Sequence, residues 1–89
     1  MLEPFYTTQF KRDYKLQQRR HKDVESLDGI IKILIKEDSL PAKNRDHPLQ
    51  GDYKGCRECH IEPDWLLIYQ IENDSIFFIR TGTHSDLFR

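Results

Sequence analysis

The hydrophobic positions in the first half of the chain recur with the period of a helix. Either of the threonines at positions 7–8 can cap a helix that runs to about His21, with Phe10 and Tyr14 facing inward. Asp23 can cap a second helix whose apolar residues share a stripe roughly 100° wide, which is typical of a face packed on a core. Those residues are Val24, Leu27, Ile31, Leu34 and Ile35.

The remaining apolar segments have the pattern of strands. Residues 1–6 suit a first strand, because Pro4 favours extended backbone and aromatic residues favour sheets. A polar stretch after Pro41 ends the helical region, and Asn73-Asp74 predicts a tight hairpin turn. Three further strands are predicted at about residues 53–61, 65–72 and 75–81, with a short extra pairing around residues 48–50.

The predicted order is therefore strand, two helices and an antiparallel β-meander. The apolar face of a half-buried sheet and the apolar stripes of two amphipathic helices must each be buried against another element, so we expect both helices on one face of the sheet. This is an α+β two-layer sandwich. With 89 residues, the chain has room for a single domain over positions 1–89.

No apolar run approaches the ~20 residues that a membrane-spanning helix needs. The longest candidate, residues 30–35, is short and is broken by Lys32. The opening residues 1–4 lack the basic and apolar segments of a signal peptide, so we expect a cytoplasmic protein without a membrane partner. Its two cysteines are then expected to be reduced.

A formal net charge of -1 hides a basic region near the start of the chain. Lys11, Lys15, Arg19 and Lys22 follow i, i+4, i+8, i+11 spacing and would form one cationic face on the first predicted helix. Such a face can bind phosphates or an acidic partner. Taken alone, such a face is more often only a solvated helix surface.

Residues 56–60 (C-R-E-C-H) match the spacing of covalent haem attachment, and their C-x-x-C core also suggests zinc or thiol redox chemistry. On the predicted strand, however, positions i and i+3 project to opposite faces and cannot easily share a ligand. The sequence holds no second ligand pair for a structural zinc, and Met1 is its only methionine. We therefore expect two free thiols, Cys56 and Cys59, and no metal or cofactor.

Three histidines stand at the ends of predicted elements, where the strands of a meander can converge on one rim. His47 follows the second helix, His60 ends a strand and His84 follows the last strand, while Asp64-Trp65 comes just after a turn. Imidazole titrates near pH ~6.5 and can exchange protons at neutral pH, and a carboxylate can orient the ring. Any one of these histidines is more often structural, but together they indicate a site.

Arg80 and Phe88 extend this candidate site. Arg80 lies near the end of the last strand and could hold a phosphate, although a salt bridge to Asp64 or Glu58 would explain it equally well. Phe88 could close over the core or stack on an unpaired RNA base.

The motifs in residues 46–51 (D-H-P-L-Q-G), 60–65 (H-I-E-P-D-W) and 80–88 (R-T-G-T-H-S-D-L-F) closely resemble those of YafQ-type toxins of the RelE/ParE superfamily. The resemblance covers nearly the whole chain and implies a RelE-like fold of β-α-α followed by a β-meander. Such toxins cleave messenger RNA on the translating ribosome. Each is neutralised by a cognate antitoxin, here a DinJ-like ribbon-helix-helix protein through which the pair contacts DNA.

By this resemblance the functional positions are His47, His60, Asp64, Trp65, Arg80, His84 and Phe88. We interpret His84 as the general acid and Arg80 as the clamp on phosphate charge. His47, His60 and Asp64 serve as base and orienting partners, with the division between acid and base left open because clustered histidines titrate together. The two aromatic residues, Trp65 and Phe88, would shape the base pocket.

Two other classes of function remain as alternatives. A ParE-like toxin that binds gyrase needs a surface rather than proton carriers, so the histidines disfavour it. A structural or regulatory module would leave the histidines unexplained. For the ribonuclease, we expect Lys11, Lys15, Arg19 and Lys22 to dock on ribosomal RNA.

Overall fold

The computed structural model describes residues 1–88 and places two long helices on a five-stranded sheet. The strands are β1 (Glu3–Tyr6), β2 (His47–Pro48), β3 (Arg57–Glu62), β4 (Trp65–Glu72) and β5 (Ser75–Gly82). The helices are α1 (Thr8–Arg19), α2 (Val24–Ile35) and a single turn, α3 (His84–Leu87). Two short 3₁₀ helices, Ala42–Asn44 and Gly51–Tyr53, flank β2. The predicted α+β order of β-α-α and meander is confirmed.

The sheet has the order β1-β5-β4-β3-β2. The strands β2 to β5 pair antiparallel, as predicted, and Glu72 faces Ser75 across the expected turn at Asn73-Asp74. The first strand is different, because β1 runs parallel to β5 with Glu3 opposite Ser75 and Tyr6 opposite Phe78. The long excursion through α1 and α2 allows this parallel return, whereas a tight hairpin would not.

Both faces of the central strand are buried. One face packs under α1 and α2 in a core that includes Phe10, Leu27, Trp65 and Phe78. The opposite face carries a smaller cluster of Leu66, Ile68 and Leu87, with Leu49, Tyr53, Cys56 and Ile79 packed against it. Because side chains alternate along a strand, β4 supplies both clusters, and its first five residues are all buried.

Two predicted boundaries are wrong. The helix expected to reach His21 ends at Arg19, since His21 adopts a left-handed backbone with φ of 62°. The strand expected from residue 53 begins at Arg57, because Gly51 and Gly55 turn the chain with positive φ before it. No helix within residues 1–88 combines the length and apolar character needed to cross a membrane.

The two cysteines lie in different environments, as the strand pattern predicts. Cys59 is fully buried in the core beneath the long helices, whereas Cys56 is half-buried against the smaller cluster. Both are free thiols. Within residues 1–88, no group of three or more His, Cys, Asp or Glu side chains is placed to hold a metal ion.

The different burial of the two thiols predicts different reactivity. Burial raises the pKa of Cys59 to about 12 and also raises that of Cys56. Because only the thiolate reacts, we expect a thiol reagent at pH 8 to modify Cys56 slowly and Cys59 only after unfolding. Quantifying the modified thiols with and without denaturant checks this. In a Cys56→Ser variant the native protein should be inert, and rapid modification of that variant would contradict the buried position of Cys59.

Candidate active site

Three imidazole rings form a row on the sheet face opposite the long helices. The ring centroids of His47 and His60 are 6.3 Å apart, and those of His60 and His84 are 5.8 Å apart. The sheet register explains the first pair, because His47 on β2 faces Glu58 on β3 and His60 is two residues further along the same face. Helix α3 then brings His84 back to the end of β3. The structure therefore confirms that these histidines converge.

A buried carboxylate joins two members of the row. Glu58 is 5% exposed, and its Oε2 lies 3.2 Å from Nε2 of His47 and 3.7 Å from Nε2 of His60. The other carboxylate oxygen of Glu58 has no hydrogen-bond partner in the described residues. Sequence reasoning treated Glu58 only as a possible partner of Arg80. The two-residue period of a strand could have identified Glu58, because it precedes His60 by two residues and therefore lies on the same face of β3.

The orientation of His47 is fixed from its other side. Its Nδ1 is 2.6 Å from the backbone oxygen of Arg45, which can only accept, so Nδ1 donates and Nε2 is directed at Glu58. Arg45 holds this position in a left-handed conformation with φ of 46° and ψ of 46°. A residue other than glycine in this region stores roughly 1–3 kcal/mol of strain, which is typical of functional sites.

His84 at the opposite end of the row is held by Asp64. The Oδ1 atom of Asp64 lies 2.6 Å from Nδ1 of the His84 ring and accepts the His84 backbone N–H at 2.9 Å. These bonds, the backbone one first, lower the pKa of Asp64 below its ordinary value. An ionised carboxylate fixes the proton on Nδ1, which leaves Nε2 of this exposed ring facing outward for chemistry.

The short helix α3 is anchored by Asp86. Thr83 and Asp86 form a reciprocal capping box, in which Asp86 accepts the Thr83 N–H at 2.9 Å and Thr83 Oγ1 accepts the Asp86 N–H at 3.1 Å. Arg20 donates to both Asp86 oxygens, at 2.7 and 3.2 Å. Gly82 makes room for this carboxylate, since a Cβ there would lie 2.8 Å from Asp86 Oδ2. Asp86 therefore places His84 beside Asp64.

Arg80 on β5 faces Ile68 on β4, which in turn faces Glu58 on β3, and its salt-bridge partner differs from both alternatives predicted from the sequence. Instead of Asp64 or Glu58, Asp13 on α1 accepts from Nε at 2.7 Å and from Nη2 at 3.2 Å. These bonds use two of the five guanidinium donors, and Tyr53 also hydrogen-bonds the guanidinium, so only the remaining donors are available to a phosphate. The hydrogen bonds that Arg80 donates to Asp13 are the main reason that the pKa of Arg80 is raised, and the group stays charged.

The two aromatic residues assigned to a base pocket are in opposite environments. Trp65 is fully buried, and its Nε1 donates to Thr81 Oγ1 at 2.9 Å, so the expectation that it contacts a base is wrong. Its indole fills the core instead and holds the start of β4. Phe88 is 44% exposed and meets Tyr53 edge-on, with ring centroids 5.7 Å apart. Tyr53, which sequence reasoning missed, therefore supports the remaining aromatic surface.

The cationic face on α1 is smaller than predicted. Lys11, Lys15 and Arg19 are exposed on the helix. Lys22 lies beyond the helix end and pairs with Glu62 at 3.4 Å, so it is not part of the face.

The chain is similar to bacterial toxins along its length. The YafQ family, described as a bacterial toxin of type II toxin-antitoxin systems, matches residues 2–89. A protein named mRNA interferase toxin YafQ, from Escherichia coli strain K12, is 49% identical over 84 residues, which cover 93% of this chain and 91% of the relative.

Two solved structures share the fold. The crystal structure of YafQ from E. coli strain BL21(DE3) has a TM-score of 0.95 at 44% identity and covers 100% of both chains. A chain of the E. coli DinJ-YafQ complex has a TM-score of 0.93 at 46% identity, again over 100% of both chains.

The anchoring of α3 predicts a pH-dependent contribution to stability. The Arg20 guanidinium, with the Thr83 N–H, holds the pKa of Asp86 well below its usual range. Because the pKa of Asp86 is lower in the folded state, its ionised form stabilises the protein at pH values above the unfolded pKa of ~3.9. This stabilisation is lost as the pH falls towards the folded-state pKa. We expect Asp86→Asn to lower the free energy of unfolding by about 1 kcal/mol at pH 7, and by less below pH ~4.

Denaturant unfolding at both pH values measures this difference. An Asp38→Asn variant is the control, because Asp38 is an exposed carboxylate remote from α3 and should leave stability unchanged. An Asp86→Asn deficit of the same size at pH 7 and pH 2.5 would contradict the ion-pair origin of the effect.

Proposed function

The chain belongs to the YafQ family of bacterial type II toxins, and from this premise we propose that it is an mRNA interferase: an endoribonuclease that inhibits translation by cleaving mRNA on the ribosome. The row of His47, His60 and His84 with its two carboxylates supports this activity. Cleavage through the RNA 2′-hydroxyl needs a base, an acid and a cation near the phosphate, and the row and Arg80 supply all three. The gyrase-binding alternative is not supported, because the similar proteins are YafQ toxins.

The reaction transfers two protons around one phosphorus atom. A base removes the proton of the 2′-hydroxyl, and the 2′ oxygen forms a bond to the adjacent phosphorus. The bond from phosphorus to the 5′ oxygen breaks, and an acid delivers a proton to that oxygen. The products are a 2′,3′-cyclic phosphate and a 5′-hydroxyl. Because these groups supply both proton carriers, the proposed mechanism uses no metal.

We assign the general acid to His84 and the general base to the pair of His47 and His60 in the rest of the row. Nucleophile and leaving group lie on opposite sides of the phosphorus, so acid and base must be farther apart than one hydrogen bond. The ring centroids of His60 and His84 are 5.8 Å apart, so one phosphate lying across the two rings can contact both. Asp64 leaves Nε2 of His84 available as the donor, while Glu58 orients His60 and His47. The free donors of Arg80 stabilise charge on the phosphate.

The partners follow from the same premise. A YafQ relative is solved in complex with DinJ, so we propose a DinJ-like antitoxin of the ribbon-helix-helix type for this chain. DNA would be contacted only through that antitoxin. The other partners are the ribosome and its mRNA, which places the protein in the cytoplasm.

The assignment of His84 predicts that His84→Ala abolishes growth arrest. Loss of a general acid costs about 10²–10⁴ in rate, whereas loss of an exposed imidazole costs little stability. Growth after induction and sequencing of transcript ends measure the activity, and antitoxin binding reports the fold. His21→Asn is the control, since His21 is exposed, does not belong to the row, and has a left-handed backbone that asparagine tolerates. Full toxicity of His84→Ala at matched expression would refute the acid assignment.

The exposed cations of α1 predict how the toxin docks. We expect Lys11→Glu/Lys15→Glu/Arg19→Glu to weaken binding to ribosomes and to reduce its dependence on salt, because fewer counterions are released. The position of the cut within the codon should not move, since phosphate contacts position without reading sequence. Ribosome co-sedimentation across a salt series measures this, with Lys36→Glu as the control. Equal binding by wild type and the triple variant would show that the face is merely solvated.

A further inference from the structure

A cavity of about 300 Å³ lies directly beside the histidine row and takes no part in the mechanism above. Lys43, Asn44 and Arg45 line one wall, and the other wall is formed by the end of β3 and the turn after it, residues 60–63. His60 belongs to both the row and the cavity wall. A ligand in the cavity would therefore lie next to a phosphate bound by His60 and His84. The volume is at the lower end of the ~300–1,000 Å³ that small-molecule sites span, which suits a single compact group.

The cavity wall contains a polar atom without a partner. Asn44 is 4% exposed, and its Nδ2 donates to the backbone oxygen of His60 at 2.7 Å. Its Oδ1 has no hydrogen-bond partner among the described residues. The hydrogen bond from Nδ2 ties the segment 42–45 to the end of β3 and so holds the two walls of the cavity together.

The charges around the cavity favour an anion. Lys43 and Arg45 are exposed, and neither has an ion-pair partner in residues 1–88. The acidic side chain at the cavity, Glu62, already pairs with Lys22. Two cations therefore stand beside the cavity without a compensating carboxylate. The strained backbone of Arg45, which orients His47, keeps this segment close to the reacting groups.

We propose that this cavity binds the mRNA nucleotide next to the scissile phosphate. Lys43 and Arg45 bind the phosphate of that nucleotide at the edge of the cavity. Ile61 and Pro63 provide an apolar wall against which the base packs. This subsite rests on the proposed endoribonuclease function and adds the contact that fixes the RNA strand relative to His60.

Binding to two kinds of ribosome tests the proposal. All proteins carry His84→Ala, so that the mRNA stays intact. One set of ribosomes holds an mRNA that fills the decoding site, and the other holds an mRNA that ends before it. The test variant is Lys43→Ala/Arg45→Asn, since asparagine tolerates the left-handed conformation and keeps the carbonyl that binds His47. Lys32→Ala/Lys36→Ala removes the same charge from α2 and is the control.

We expect the test variant to bind ribosomes with a filled decoding site about tenfold or more weakly than its parent, since one charge-assisted hydrogen bond is worth about 1.5–3 kcal/mol. Its affinity for ribosomes with an empty decoding site should be unchanged, and the control should match the parent on both. An equal loss on both ribosomes would mean that the cations contact ribosomal RNA, and no loss on either would mean that they contact no RNA. Each of these results overturns the subsite.

A cleavage assay with His84 intact separates the subsite from the proposed function. If the wild type cuts mRNA on the filled ribosomes and Lys43→Ala/Arg45→Asn raises KM with kcat retained, the subsite is supported. A fall in kcat at unchanged KM would show that the segment only positions His47 and His60, and it would overturn the subsite while leaving the endoribonuclease function in place. If the wild type cuts no mRNA, the function itself is wrong.

Discussion

The buried carboxylate of Asp13 holds together the parts of the fold that carry the site. Strand β1 pairs with β5 only as far as Phe78, and beyond that point the edge of β5 has no strand partner. Asp13 takes over there, accepting the Thr81 N–H at 3.1 Å and two donors of Arg80. Thr81 Oγ1 in turn accepts from Trp65 and donates to the Leu66 oxygen at 2.7 Å. One network thus connects α1, the end of β5 and the start of β4, and a buried acid left without its partners would be strongly destabilising.

The candidate active site depends on this network because the site lies at the rim of the sheet, where the ends of several strands meet. The end of β3, the start of β4 and the end of β5 meet there, since neighbouring strands run in opposite directions. The two ends of the histidine row are supported differently. His47 and His60 share the buried Glu58, whereas His84 is exposed on a single helical turn and pairs with Asp64, which is exposed in the turn before β4. The first arrangement favours fixed geometry, and the second leaves the imidazole of His84 open to solvent.

The hydrophobic pattern was sufficient for most of the fold and for part of the site. Helical periodicity located α1 and α2, alternation located β3 to β5, and the placement of histidines at element ends anticipated their convergence. The parallel pairing of β1 was not predicted, because a strand's period does not specify its partner. The partners of Arg80 and the burial of Trp65 were missed for a related reason. Asp13 is distant in sequence, and an indole serves equally well in a core or on a binding surface.

The pairing of β1 with β5 also determines when the fold can be completed during synthesis of the chain. The first strand and both long helices leave the ribosome with apolar faces that have no sheet to cover, because β3 to β5 are made later. Contacts between such distant segments form only after the intervening chain is available, and they form slowly. His84 follows β5, so the row of imidazoles is complete only after the sheet has closed. Until β5 and α3 have been made and the sheet has closed, the chain therefore has its long helices but no assembled row of imidazoles.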